Sequence, residues 1–387
     1  MKKYVSLILV ASILAAVGSG CGPYEYGAES KEVSVLKILK PNNIADFSDI
    51  VNSFNESNSD IQITFVDAPP ATEERHQFYV SALSGEDETI DIYWINDEWT
   101  DEFAEAGYLF PLNNKITIDK SRYIVDADKR FSYNNTLYAL PVGTDMDVLF
   151  YRSDLISEVP DTWGEIVDMC RNSNWGAPIK LGLERNDIRD IIYNIIQIKN
   201  STEMEYADIL NIYKELISRN ETEYTDSITE FKTGASAVYM GKISLWDKFN
   251  SDTSAVKGNV GVKMLPGADE EKSTNLVGCY GLAINANSKN KEAAVRFLDF
   301  MNSKEQQSRL SRDTSVMPII KELFEDEMVL ENMGYVEEAE QIIPKAESYK
   351  DVRIDGEKLK AIENALTEFF NNEETANNTG EILKDLL

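Results

Sequence analysis

The chain has 387 residues, enough for two domains with separate cores, and its 43% hydrophobic and 27% charged content argues against disorder. Its formal net charge of −29 repels phosphate backbones and anionic membrane surfaces, so nucleic-acid binding is not expected. Three cysteines (Cys21, Cys170, Cys279) form no CxxC pair, and His76 is the single histidine, so neither a zinc or redox framework nor His-based catalysis is expected. His76 lies in Glu73–Phe78, which reads as the solvated face of a helix. No metal and no cofactor is expected.

Lys2 and Lys3 precede an apolar stretch from Tyr4 to Val17, then Gly18-Ser19-Gly20 and Cys21. A charged start, an apolar run too short for a comfortable membrane span and small residues before a cleavage point describe an export signal over 1–20. A plain secretory signal would end the same way. The small residues run directly into a cysteine, however, and this resembles a bacterial lipobox, in which that cysteine is acylated. Cys21 is then the lipidation site and 21–32 a tether. Cys170 and Cys279 could pair in an oxidising compartment, but their apolar or small-residue surroundings favour free, buried thiols.

Val33–Leu39 is a strand candidate closed by Pro41-Asn42-Asn43. Ile44, Phe47, Val51 and Phe54 follow at helical spacing, and Ile61, Ile63 and Phe65 alternate as a strand. This strand–helix–strand unit builds parallel sheets, and the helix Glu73–Leu83 with the strand Ile90–Ile95 repeats it. No glycine-rich phosphate loop opens these helices. Asn96-Asp97-Glu98-Trp99 then stands beyond a strand's carboxyl end, where open α/β sheets bind ligands. Trp94 and Trp99 suit binding and packing equally.

Tyr138–Asp154 runs as an apolar strand into Pro141, pauses at Gly143-Thr144-Asp145, and resumes at Val148–Tyr151. This predicts a crossover between two lobes, with Asp145 facing the gap. Asp147 reads as a structural or solvated neighbour. Helices dominate after it: a capping box at Thr162/Glu165, and apolar stripes over Ile188–Ile196 and Tyr206–Leu216. Phe231–Met240 is a helix end and a short strand, with Ser244 and Trp246 just beyond, and Val260–Leu265 is a strand. Leu276–Ile284 suits a second crossover. A helix carrying Ala294, Phe297, Leu298 and Met301 follows, then a cap at Ser303/Gln306 and a break at Thr314–Pro318 that suits a third crossing. The remainder is helical, and the Asn-rich stretch Asn371–Asn378 is expected to be exposed.

Four segments in this order resemble the family 1 extracellular solute-binding proteins of ABC importers. They are Asp91–Asp97 with Phe103–Leu112, Tyr138–Leu155, Phe231–Val238, and Gly278–Phe300. The resemblance implies an α/β, two-lobe, periplasmic-binding-protein-like (type II) clamshell with hinge strands. It implies one lobe over 33–145 and 280–316 and another over 146–279 and 317–387. It further implies ligand contacts at Trp94, Asn96, Asp97 and Glu98 in the first lobe, Asp145 and Tyr280 at the hinge, Ser244 or Trp246 in the second lobe, and Asn42 and Asn43 in the first turn.

The implied function is a lipid-anchored monomer on the outer face of the bacterial cell membrane that delivers a carbohydrate to an ABC permease, without being an enzyme. Carboxylates and amides suit sugar hydroxyls, and aromatics suit the ring face. A polyamine would also suit acids and aromatics. A glycosidase using Asp97 and Asp145, and a binding protein that feeds a sensor kinase, are the alternatives.

Overall fold

The computed structural model describes residues 33–163, 165–166, 169, 181–182, 188–201, 203–217, 227–266, 275–348, 354 and 356–387. The expected signal, the tether with Cys21, and Cys170 lie outside these residues.

Strand β1 (Ser34–Pro41) is followed by the helix Ser48–Ser57, β2 (Ile61–Ala68), the helix Thr72–Ser84 and β3 (Ile92–Asn96). β1 pairs in parallel with β2 from Ser34↔Ile61 and with β3 at Ile38↔Ile92, as two strand–helix–strand units require. Ile50, Val51 and Phe54 bury one face of the first helix. Ile44 and Phe47 precede that helix. Phe47 is nonetheless buried and meets Phe65 edge-on at 4.7 Å.

A hairpin of β4 (Ser132–Tyr133) and β5 (Thr136–Leu137) turns at Asn134 and Asn135, both at positive φ, which asparagine tolerates better than most residues. β6 (Ala139–Arg152) is next. The remaining strands are β7 (Leu181–Gly182), β8 (Val238–Lys242), β9 (Val260–Lys263), β10 (Leu276–Ile284) and β11 (Glu347–Ser348). The sheet runs β2-β1-β3-β10-β6-β8-β7, with β9 on β6 and β11 on β10.

β6 corrects one expectation. It is a single strand of 14 residues with no pause at Gly143–Asp145. Its first half pairs with β10, from Ala139↔Ala283 to Met146↔Val277, and its second half with β8, from Asp147↔Lys242 to Tyr151↔Val238. The polar residues that suggested a break are satisfied within the sheet. Thr144 Oγ1 donates to Gly278 O at 2.7 Å. The one irregularity is a register shift opposite Tyr280/Gly281.

Segment Thr314–Pro318 meets the same point, because Thr144 N–H donates to Met317 O at 2.9 Å. Gly143 leaves room for it: a Cβ there would lie 2.2 Å from Val316 Cγ1. The segment then pairs with Tyr123–Ile124, with Ile124 N–H bonded to Ile319 O at 3.0 Å.

Alternation along β6 feeds two buried clusters. Phe150 joins Phe231, Tyr239 and Phe249 in the cluster that continues beneath β1, β3 and β10. Leu149 joins Ile192, Ile195, Leu210, Leu366 and Phe369 in the other. Thr162 and Glu165 form the expected capping box, and Ser303 accepts from Gln306 N–H as helix cap. The Asn-rich tail is exposed, but the loop ends at Thr375, which caps a last helix, Ala376–Leu386. No helix among the described residues is long and apolar enough to cross a membrane.

Candidate functional site

Asp145 stands where β6 changes partner, paired opposite Gly278 of β10. It is 5% exposed, and every hydrogen bond it accepts comes from a nearby donor. Oδ1 takes Met146 N–H (2.9 Å) and Ser244 N–H (3.3 Å). Oδ2 takes the Ser244 hydroxyl (2.7 Å) and the Tyr280 hydroxyl (3.3 Å). β6, β10 and the turn after β8 each contribute to this cluster. Burial pushes the Asp145 carboxyl up; Lys242 and the Ser244 bonds pull it back, and Asp147 adds to the rise. Asp147 shares a strand face with Asp145 by its spacing of two. It is 3% exposed and paired with Lys242 Nζ at 3.0 Å, so it is structural and not solvated.

Tyr280 is half-buried, with its ring 5.8 Å from that of Trp94. Burial, reinforced by the Asp145 charge, pushes its hydroxyl up, so it stays a donor at physiological pH. Ser244 lies in the turn Ile243–Leu245, and Trp246 opens the helix Trp246–Asn250. The half-buried Trp246 ring meets Tyr335 edge-on at 5.8 Å, and Gly334 packs against the same indole.

On the other side of β10, Tyr280 pairs with Asn96 at the end of β3. Asn96 and Glu98 are half-buried. Asp97 is 1% exposed: Oδ1 accepts Cys279 N–H (3.0 Å) and Oδ2 accepts Arg130 Nη1 (3.3 Å). Arg130 also donates to Val277 O at 2.9 Å. Burial pushes Asp97 up to about 6, against the pull of Arg130 and the Cys279 amide. Both Asp97 oxygens are thus engaged by the protein itself. Trp94 and Trp99 are both core residues in packing, at 0% and 2% exposure. Asn42 and Asn43 lie exposed in the turn after β1, with Asn42 N–H on Ala68 O at 3.0 Å.

The run Glu73–Phe78 departs from the reading of a solvated face. Arg75 within it is buried, with its guanidinium 5.3 Å over the Trp99 ring, and His76 stacks on Phe103 and bonds Glu102 at 2.9 Å. Arg75, Arg130 and Tyr335 are site neighbours that sequence reasoning misses. Two sit in charged runs that look exposed, and Tyr335 has no periodic pattern around it. Cys279 is a free, buried thiol. Among the described residues no group of three or more His, Cys, Asp or Glu side chains could hold a metal ion.

A model of the family described as bacterial extracellular solute-binding protein matches residues 49–335. The chain belongs to that family. The solute-binding protein is 22% identical over 340 residues to the maltotriose-binding protein of Pyrococcus abyssi, covering 82% of this chain and 74% of that one. It is 23% identical over 317 residues to a probable ABC transporter-binding protein of Deinococcus radiodurans, covering 70% and 72%. The maltose-bound MalE3 of T. maritima matches with a TM-score of 0.77 at 20% identity, over 92% of this chain and 99% of that chain. The solute-binding protein therefore has the two-lobe α/β fold of such proteins. Its family membership makes it an extracytoplasmic binder and not an enzyme, which disposes of the glycosidase alternative.

Proposed function

We propose that this protein captures a sugar or oligosaccharide between its lobes and hands it to the permease of an ABC importer. One observation carries the reading: Asp145 gathers Ser244 and Tyr280, drawn from separate segments, beside the aromatic ring of Trp94. A carboxylate with hydroxyl neighbours matches sugar hydroxyls, and the half-buried Tyr280 ring, backed by Trp94, matches an apolar ring face. The names of the Pyrococcus relative and of the T. maritima complex support a sugar, and that of the Deinococcus relative supports an ABC transporter.

In this reading Asn42, Asn43, Trp94, Asn96, Asp97, Glu98, Asp145, Ser244, Trp246 and Tyr280 form the ligand site. Lobes 33–145 with 280–316 and 146–279 with 317–387 close about Asp145, Gly278 and Met317. The mature monomer is tethered by a lipid on Cys21. Calorimetry of the protein lacking residues 1–21 against mono- and oligosaccharides tests the sugar assignment. Heat of binding with at least one is expected; no heat and no thermal shift with any would end it. Incorporation of a labelled fatty acid that disappears in Cys21→Ser tests the anchor.

A further inference from the structure

Arg75 projects from the helix Thr72–Ser84 and is 4% exposed. Its Nη1 donates to Pro70 O (2.5 Å) and Pro69 O (3.4 Å), and its Nη2 to Asn96 Oδ1 (3.3 Å). Its plane lies over Trp99. Among the described residues no carboxylate pairs with it, and Nε is buried without a partner. A buried arginine held by backbone carbonyls, an indole and a single side-chain amide invites the question of what that amide is held for.

A guanidinium has only donors, so Asn96 must turn its carbonyl oxygen towards it. The Asn96 NH2 group then points the other way, and no described acceptor takes it. Asn96 is half-buried at the end of β3, opposite Tyr280, whose hydroxyl is on Asp145. The geometry points to Arg75 as the positioning residue that fixes Asn96 as a hydrogen-bond donor to the solute. The solute then presents an oxygen acceptor to Asn96 and hydroxyl donors to the Ser244 and Tyr280 oxygens, whose own protons are held by Asp145. This rests on the proposed sugar site and adds polarity to it: one side of β10 gives protons and the other takes them.

Asn96→Asp separates this role from support of the Pro69–Pro70 turn, because it keeps an oxygen for Arg75 and removes the donor. Thermal melting without solute is the first arm. Asn96→Asp is expected to melt at or above the wild type, and below it once Arg75→Met is added. An equal effect of Asn96→Asp in both backgrounds would refute the coupling.

The second arm is calorimetry with maltotriose on the protein lacking residues 1–21. Asn96→Asp should weaken binding at least tenfold with the fold intact. Arg75→Met and Arg75→Lys should each weaken it, and Arg75→Met/Asn96→Ala should be no weaker than the worse single variant. Additive losses, or wild-type affinity in Asn96→Asp, would overturn the inference, provided Asp145→Asn loses affinity. Wild-type affinity in Asp145→Asn would instead overturn the site reading. If maltotriose gives no heat with the wild type, it is the assignment of this sugar that fails, and the melting arm alone decides the Arg75–Asn96 coupling.

Discussion

The Ser244 hydroxyl lies 2.7 Å from Asp145 Oδ2, joining residues 99 apart in sequence. It ties the turn after β8 to the place where β6 leaves β10. An asparagine at 145 would keep the shape but lose the charge, and one of its two acceptor positions would become a donor facing Ser244 or Tyr280. Hydrogen bonds to a charged group are worth about 1.5–3 kcal/mol. Asp145→Asn is therefore expected to weaken sugar binding about ten- to hundredfold, and Ser244→Ala by less. Isothermal titration of both variants checks the order.

The Asp97–Arg130 pair makes a prediction about stability. Removing one partner of a buried pair strands the other, at a cost of about 3–5 kcal/mol. Asp97→Ala should lose stability on that scale in urea denaturation at pH 7. Its carboxyl is raised from the ordinary 3.8 to about 6 in the folded protein. Between those values the folded state holds a proton that the unfolded chain has released. The stability contributed by that proton is present below about pH 4 and is lost as pH rises to about 6, by about 3 kcal/mol at most. Asp97→Asn should flatten this slope. Asp145, also raised by burial, keeps part of it. An unchanged slope would show that Asp97 does not titrate there.

Gly143 makes a prediction about the crossings. Its missing side chain admits Val316, and an added Cβ would meet Val316 Cγ1 at 2.2 Å and Met317 O at 3.3 Å. Overpacking of this kind costs about 1–3 kcal/mol. Gly143→Ala is expected to lower the denaturation midpoint without changing its slope. Retained stability would mean that segment 316–317 yields readily.

Cys279 sits in the same region. Burial, with the nearby Asp97 charge adding to it, pushes its thiol up, so little thiolate forms. In a protein lacking residues 1–21 and carrying Cys170→Ser, a thiol reagent at pH 8 should react with Cys279 only after denaturant is added. Rapid labelling of the native protein would contradict its burial.

Much of this architecture could be read from alternation and helical spacing, because both faces of β1–β3 and one stripe of each flanking helix are dictated by burial. Reading failed where polarity was mistaken for exposure. Thr144 and Asp145 looked like a break in a strand, yet their partners on β10, on the turn after β8 and in segment 317 make them interior. Arg75 looked solvated because four of its neighbours in Glu73–Phe78 suit water, and only the tertiary approach of Pro69, Pro70, Asn96 and Trp99 encloses it. Asp145 itself was legible as an acid at the crossover. The donors that orient it lie 99 and 135 positions away, a distance at which local pattern carries no information.

The unbroken strand β6 also restricts how the chain can vary in length. Side chains alternate between faces, so one residue inserted after Met146 would exchange the surroundings of Leu149 and Phe150, which feed different cores. It would also move Asp147 out of phase with Lys242. Two inserted residues would keep the phase and shift only the spacing. Homologous chains should therefore differ in length within this strand by even steps or not at all, and length variation should collect in the turns that flank it.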